Sequence, residues 1–269
     1  MAMWNVSSSE AKHERTVKYI RITISLLLSG VGLYILASQA VPIGQSYIKG
    51  AIIEKREELK VSPVPGSYKR EIGGEFAYWD PGRSYFENLI AQAVLTPENG
   101  QRVYNPETQQ YLDVEIDQNY STPMSLTISS LDIVDLNITP NVDSYDENAY
   151  NRVLKYGLAH FKSTPLPGAG GNSFIYGHSA VDSYFNNHKN NPEVAFSILE
   201  DIKIGDEVEL TKDGRIYRYV VRKKKIVEPT DFSILSRQTW KETLTLMTCS
   251  PVGIGTNRLV VTAELINGQ

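Results

Sequence analysis

Among its 269 residues this chain has a single cysteine, Cys249, and only four histidines, His13, His160, His178 and His188. One thiol excludes an intramolecular disulfide framework and a Cys-rich zinc site. So few sulfur and imidazole groups mean that each candidate nucleophile or base can be weighed in turn. A basic excess is also missing. Lys and Arg number 27 against 31 Asp and Glu, giving a net charge of −4 and a pI near 5.7, which argues against a general nucleic-acid binder held by phosphate contacts. There is no internal repeat, no low-complexity tract and no acidic loop of the EF-hand type. With 41% hydrophobic and 10% aromatic residues, the composition argues against disorder and allows one substantial domain with extensions.

What is present begins with an uncharged stretch. Residues 22–42 carry no charged side chain, close to the roughly 20 apolar residues a helix needs to cross a hydrocarbon core of about 30 Å. Lys12, Arg15, Lys18 and Arg21 precede it and are expected to hold the N-terminus in the cytoplasm, with everything after Pro42 outside. The reading is a cytoplasmic tail at 1–21, a transmembrane anchor at 22–42, a membrane-proximal extension at 43–121 and a main domain at 122–269. A cleaved signal peptide is the alternative, since Ser38-Gln39-Ala40 resembles a small-residue cleavage site; the length of the apolar stretch favours a retained anchor. Four basic and two acidic residues (Glu10, Glu14) lie before Pro42, so 23 basic and 29 acidic residues remain and the exported part carries about −6.

The extension is mixed. Residues 52–60 (IIEKREELK) continue in helical style off the membrane, and 61–66 (VSPVPG) reads as a linker. Phe76, Tyr78, Trp79, Tyr85 and Phe86 give the following segment enough apolar surface to dock. From Thr122 onward the pattern changes to short runs rich in β-branched and aromatic residues, at 126–133, 173–176, 207–210, 217–221, 244–249 and 259–265. Pro167-Gly168, Gly170-Gly171, Asp213-Gly214 and Gly253 to Gly255 separate them. Brief helical turns fit at 148–155 and 194–201. The expectation is a mainly β domain, a barrel or a sandwich.

The last two strands carry the chemistry. In 244–249, Leu244, Leu246 and Thr248 face one way and Thr245, Met247 and Cys249 the other. In 258–265, Leu259, Val261, Ala263 and Leu265 form the apolar face. The intervening loop holds Pro251, Gly253 and Gly255, so the pair reads as a long hairpin with Cys249 just before the loop and Arg258 just after it. Antiparallel pairing brings opposed Cβ atoms to about 4.5–5.5 Å. A thiol attacks as thiolate, and a neighbouring imidazole can take its proton. A guanidinium stays charged and can stabilise the oxyanion formed when a thiolate adds to a peptide carbonyl.

Of the histidines, His13 falls on the far side of the membrane, and His188 lies in a polar stretch (NNHKNN) that reads as a solvated loop. His178 ends a strand after Gly177, where its ring is presented at a rim; it is the favoured partner. His160, between Ala159 and Phe161, remains the alternative, although its setting also suits a packing histidine. The bland readings stand beside these: a lone strand-end cysteine is commonly a small buried hydrophobe, and an arginine opening a strand is commonly just solvated.

The same residues resemble the sortase family, membrane-anchored cysteine transpeptidases of bacterial surfaces. Residues 245–249 (TLMTC) resemble the family's TLxTC signature, and Arg258 opens the next strand as the family's catalytic arginine does. Residues 173–179 (SFIYGHS) resemble the strand that delivers the catalytic histidine, 167–172 (PGAGGN) the Gly-rich turn before it, and 199–210 (LEDIKIGDEVEL) a strand-entry segment. The resemblance runs over roughly 125–265. It implies a closed eight-stranded β-barrel with short helices, preceded by one transmembrane helix, and a catalytic set of His178, Cys249 and Arg258. It further implies cleavage of an LPxTG-like C-terminal sorting signal on surface proteins through an acyl-thioester. An amine then resolves the thioester, with a peptidoglycan precursor or a pilin lysine as acceptor. No cofactor is implied, and calcium dependence stays open.

The extension departs from the pattern. Some pilus-building sortases carry a lid there, with Asp-Pro followed by an aromatic; here Asp80-Pro81 is followed by Gly82, with Trp79 before it, so a spacer whose aromatics dock on the barrel is favoured over a lid. The basic run 222–225 (RKKK) reads as a solvated strand end, with attraction to anionic wall polymer as the alternative. The rival functions are an inactive sortase-like surface module and an unrelated cysteine peptidase, although the local cysteine signatures of the latter are absent.

Overall fold

The computed structural model describes residues 6–58 and 101–268, apart from 106, 145, 163, 181–190, 230, 232 and 237–240. The linker at 61–66, the aromatic cluster with Asp80-Pro81, and His188 therefore lie outside the described residues. The chain forms two compact units, Met1–Pro42 and Ile43–Gln269.

Helix α1 (Val6–Glu58) is 53 residues long with Pro42 inside it. A proline removes one amide donor and crowds the preceding turn, yet the flanking turns keep their own hydrogen bonds. In the first unit its large apolar side chains, among them Ile24, Leu27, Val31, Tyr34 and Leu36, are exposed, so the helix is apolar on every side rather than along one stripe. Residues Val17–Ile53 include a window of mean hydropathy 1.9, long and apolar enough to cross a membrane.

In the second unit, β1 (Gln101–Asn105) and β2 (Gln110–Val114) form an antiparallel hairpin. The Asn105 side chain turns the chain by accepting from the amides of Glu107 (2.8 Å) and Thr108 (3.3 Å), as Asn commonly does at turns. No strand was expected within 43–121, because this pair is polar and short.

The remaining strands are β3 (Met124–Ile128), β4 (Ile133–Val142), β5 (Leu158–Phe161), β6 (Asn172–Tyr176), β7 (Glu207–Lys212), β8 (Arg215–Val227), β9 (Thr243–Ser250) and β10 (Asn257–Gly268). They close into an eight-stranded barrel in the order β10-β8-β7-β3-β4-β5-β6-β9. Closure leaves no free edge, which settles barrel over sandwich. Short helices α2 (Glu147–Leu154), α3 (Pro192–Ala195) and α4 (Ser233–Ser236) and a 3₁₀ segment, Phe196–Asp201, fill the connections. Asp146 caps α2 by accepting from the amides of Asn148 and Ala149, which satisfies two otherwise orphan donors.

Two expected strands are corrected. Residues 126–133 are not one strand: Ser129–Leu131 forms a 3₁₀ turn, and Asp132 at φ 54° reverses the chain into β4, an arrangement that short polar residues favour. The run 222–225 does not follow a strand but lies inside β8. There Lys224 Nζ donates to the carbonyls of Glu200 (3.0 Å) and Ile202 (2.7 Å), Lys225 pairs with Asp231 at 3.1 Å and Arg222 with Glu264 at 3.4 Å.

Strand alternation sorts the barrel's apolar side chains into two cores. Leu126, Leu158, Ile175, Leu210, Tyr219, Leu246 and Val261 belong to one, the barrel interior. Phe161, Phe174, Tyr176, Met247 and Val260, on the opposite faces of β5, β6, β9 and β10, join Leu154 of α2 and Ile234 and Leu235 of α4 in the other. Strands β6 and β9, which pair in parallel, are thus covered on both faces, as parallel strands usually are.

Candidate active site

Cys249 and Arg258 are direct partners in the antiparallel β9–β10 ladder, as are Met247 and Val260 two residues further in. Both side chains fall on the face of the second core, above Met247 and Val260, and outside the barrel interior. Cys249 and Arg258 are each half-buried, so the sulfur is neither sealed in nor fully solvated.

His178 comes to the same end from the neighbouring strand. In the parallel β6–β9 ladder, Tyr176 pairs with Met247. Beyond it the Gly177 amide donates to the Met247 carbonyl (3.1 Å), and Thr248 Oγ1 donates to the Gly177 carbonyl (2.9 Å). This brings His178 to the level of Cys249, and alternation from Phe174 and Tyr176 puts position 178 on the face that carries Cys249 and Arg258. Gly177 points the other way. A Cβ there would lie 2.5 Å from Leu158 Cδ2 and 2.9 Å from Phe196 Cδ2, so only glycine fits next to the histidine.

The β9–β10 loop is fixed from within. The Pro251 carbonyl accepts from the amides of Ile254 (3.1 Å) and Gly255 (2.9 Å), and the Ser250-Pro251 bond is cis. Gly255 has φ +69°, and a Cβ on it would stand 3.3 Å from Cys249 Cβ and 3.5 Å from Sγ. The loop therefore folds back over the sulfur at a point where a side chain would be strained and tightly packed. Arg258 Nη1 donates to the Gly255 carbonyl (2.8 Å) and the Asn257 carbonyl (2.9 Å), which orients the guanidinium beside the thiol.

His160 belongs elsewhere. It is buried in β5, on the face of Leu158 that looks into the barrel. Nδ1 accepts from the Asn141 amide (3.3 Å), while Nε2 lies 3.1 Å from the Pro165 carbonyl and 3.2 Å from Thr164 Oγ1. Burial pushes its pKa down to about 4. It is a satisfied, neutral packing histidine, separated from the thiol by the sheet.

One supporting residue drew no notice in the sequence. The Glu242 carboxylate accepts from the amides of Gly168 (2.9 Å) and Gly170 (3.2 Å) and from the Tyr219 hydroxyl (2.6 Å). It clasps the Gly-rich turn that feeds β6. Asn172 Oδ1 then accepts from Thr245 Oγ1 at 2.8 Å and Thr243 Oγ1 at 3.1 Å, locking the register of β6 on β9. Among the described residues, no group of three or more His, Cys, Asp or Glu side chains could hold a metal ion.

A family model described as a sortase domain matches residues 126–266. The chain belongs to the sortase family. Sortase A of Streptococcus agalactiae serotype III is 29% identical over 115 residues, 43% of this chain and 44% of its own length. The putative sortase YwpE of Bacillus subtilis is 32% identical over 80 residues, 30% of this chain and 78% of its own. The chain spans about half the length of the first two curated relatives it matches. Among solved structures, sortase C-1 from Actinomyces oris is 26% identical with a TM-score of 0.45, covering 63% of this chain and 89% of that one. This sortase has the closed eight-stranded barrel that the resemblance implied, and an apolar N-terminal helix.

Proposed function

We propose that this sortase is a membrane-anchored transpeptidase in which Cys249, His178 and Arg258 act on an LPxTG-like sorting signal. The observation that carries the reading is the double register on β9. One neighbour pairs Arg258 with Cys249, and the other brings Gly177-His178 to the same level. The comparisons lend no support to an inactive surface module.

In the proposed reaction, the Cys249 thiolate adds to the carbonyl carbon of the signal's scissile peptide. The guanidinium of Arg258 stabilises the oxyanion. The C–N bond breaks as His178 gives a proton to the leaving amine, and a thioester remains on Cys249. An acceptor amine then attacks the thioester, His178 takes its proton, and the C–S bond breaks to regenerate the thiolate. The acceptor is a peptidoglycan precursor or a pilin lysine.

Residues 22–42 serve as a single-pass anchor with the four preceding basic residues in the cytoplasm and the barrel outside. The catalytic domain runs from 122 to 269, and 43–121 is a membrane-proximal extension. The experiment that tests the function is incubation with a panel of sorting-signal peptides and hydroxylamine. A hydroxamate product dependent on Cys249 is expected. No product across the panel, or full yield from Cys249→Ala, refutes it.

A further inference from the structure

The proposed chemistry leaves one hydrogen bond of the active-site loop unaccounted for. In the second unit, Ser46, Gly50 and Ile53 of α1 recur at i, i+4 and i+7 and so share one helix face. All three are buried. Ile53 joins the interior core, and a Cβ on Gly50 would stand 3.2 Å from Ile226 Cδ1. At the upstream end of this stripe, the Val252 amide donates to Ser46 Oγ at 2.8 Å, and Ser46 Oγ in turn donates to a carboxylate oxygen of Glu200. Val252, Ser46 and Glu200 are all buried.

We infer that Ser46 is a positioning residue for the β9–β10 loop, holding Val252 so that the loop keeps its fold over Cys249 and Arg258. This inference rests on the reading of those two residues as catalytic. The path is short and continuous. Val252 follows Pro251, whose carbonyl holds the amides of Ile254 and Gly255. Gly255 lies against Cys249, and its carbonyl accepts from Arg258. Releasing Val252 frees the loop near its start, because a buried amide without an acceptor drives local rearrangement toward water. Glu200 completes the chain by accepting the serine hydroxyl's hydrogen bond, which leaves the oxygen lone pairs for Val252. Lys49 and Asp201, one turn away, form an ion pair at 2.6 Å, but both are about half exposed, so this pair does little to hold the helix. The part of α1 that lies in the second unit thus reaches the loop beside the thiol through one hydroxyl.

The test uses the full chain in detergent micelles, comparing wild type with Ser46→Ala, Ser46→Thr and Lys49→Ala. Three readouts are taken: amide exchange across 251–256, the pH profile of Cys249 alkylation by iodoacetamide, and kcat and KM with a sorting-signal peptide and hydroxylamine. Ser46→Ala is expected to raise loop exchange about tenfold, the scale of one lost hydrogen bond. It should also shift the alkylation profile and lower kcat about tenfold with little change in KM. Ser46→Thr, which keeps the hydroxyl, should restore all three, and Lys49→Ala should leave them at wild-type values. Loop exchange and alkylation in Ser46→Ala equal to wild type overturn the inference, as does a Lys49→Ala variant that behaves like Ser46→Ala. The transpeptidase reading fails separately, if wild type makes no more product than Cys249→Ala; exchange and alkylation still decide the role of Ser46 in that event.

Discussion

Cys249 and Arg258 face each other as one rung of the β9–β10 ladder, and the arginine is held there by the carbonyls of Gly255 and Asn257. The ladder pairing and the two carbonyl contacts hold the guanidinium in place, as the proposed oxyanion role requires. Lysine keeps the charge but loses the planar fork that meets two carbonyls and still leaves donors for substrate. Arg258→Lys should lower kcat with the peptide substrate by about 10²–10³, the usual cost of a lost oxyanion donor, with the fold unchanged by circular dichroism. A kcat within twofold of wild type excludes this role.

Gly177 sets the direction of His178 by default, since its own Cβ position is occupied by Leu158 and Phe196. Gly177→Ala must push one of these out of the barrel interior, an overpacking that costs about 1–3 kcal/mol. Urea denaturation should show this loss. Activity should fall by more than stability explains, because the histidine is displaced as well.

The two histidine readings separate by pH. Burial holds His160 near pKa 4, below its ordinary value of about 6.5. The unfolded chain therefore binds a proton that the folded chain refuses. The stability concerned is fully present above pH 6.5 and is lost as pH falls from 6.5 toward 4, up to about 3 kcal/mol. The unfolding free energy of wild type should drop more between pH 7.5 and 4.5 than that of His160→Asn. Activity should survive His160→Asn and not His178→Asn.

Glu242 joins two glycine amides and the buried Tyr219 hydroxyl. Burial, with the Glu242 carboxylate beside it, holds that phenol well above its ordinary pKa, so it stays a donor throughout the working range. Glu242→Ala leaves those donors without an acceptor and should cost about 2–4 kcal/mol. Thermal unfolding measures it. A change under half a degree in Tm contradicts the clasp.

Where one face of a strand is dry and the other wet, the sequence is readable. The alternation of 244–249 and 259–265 places Leu246 and Val261 inward and Cys249 and Arg258 together on the other face, and the structure agrees. Legibility fails where that contrast disappears. β5 reads as LAHF, with all four residues buried, because its outer face packs with α2 in the second core; no alternation marks it as a strand. The break at Ser129–Leu131 was hidden because Thr127 and Ile133 keep β-like character on both sides. The basic run looks like a strand terminus in sequence, because long lysine stems can follow a strand while their amines reach carbonyls such as those of Glu200 and Ile202. Ser46 was invisible for a different reason. Inside an apolar helix a serine and a glycine look like tolerated small residues, and only the packed barrel shows that they form one docking stripe with Ile53.

The most direct measurement is the mass of the intact protein quenched in acid during turnover of a sorting-signal peptide without acceptor amine. The expected species carries the acyl part of the peptide on Cys249, is located there by fragmentation, and disappears when hydroxylamine is added. An unmodified protein despite peptide cleavage, or an adduct on any other residue, contradicts the assignment of Cys249 as nucleophile.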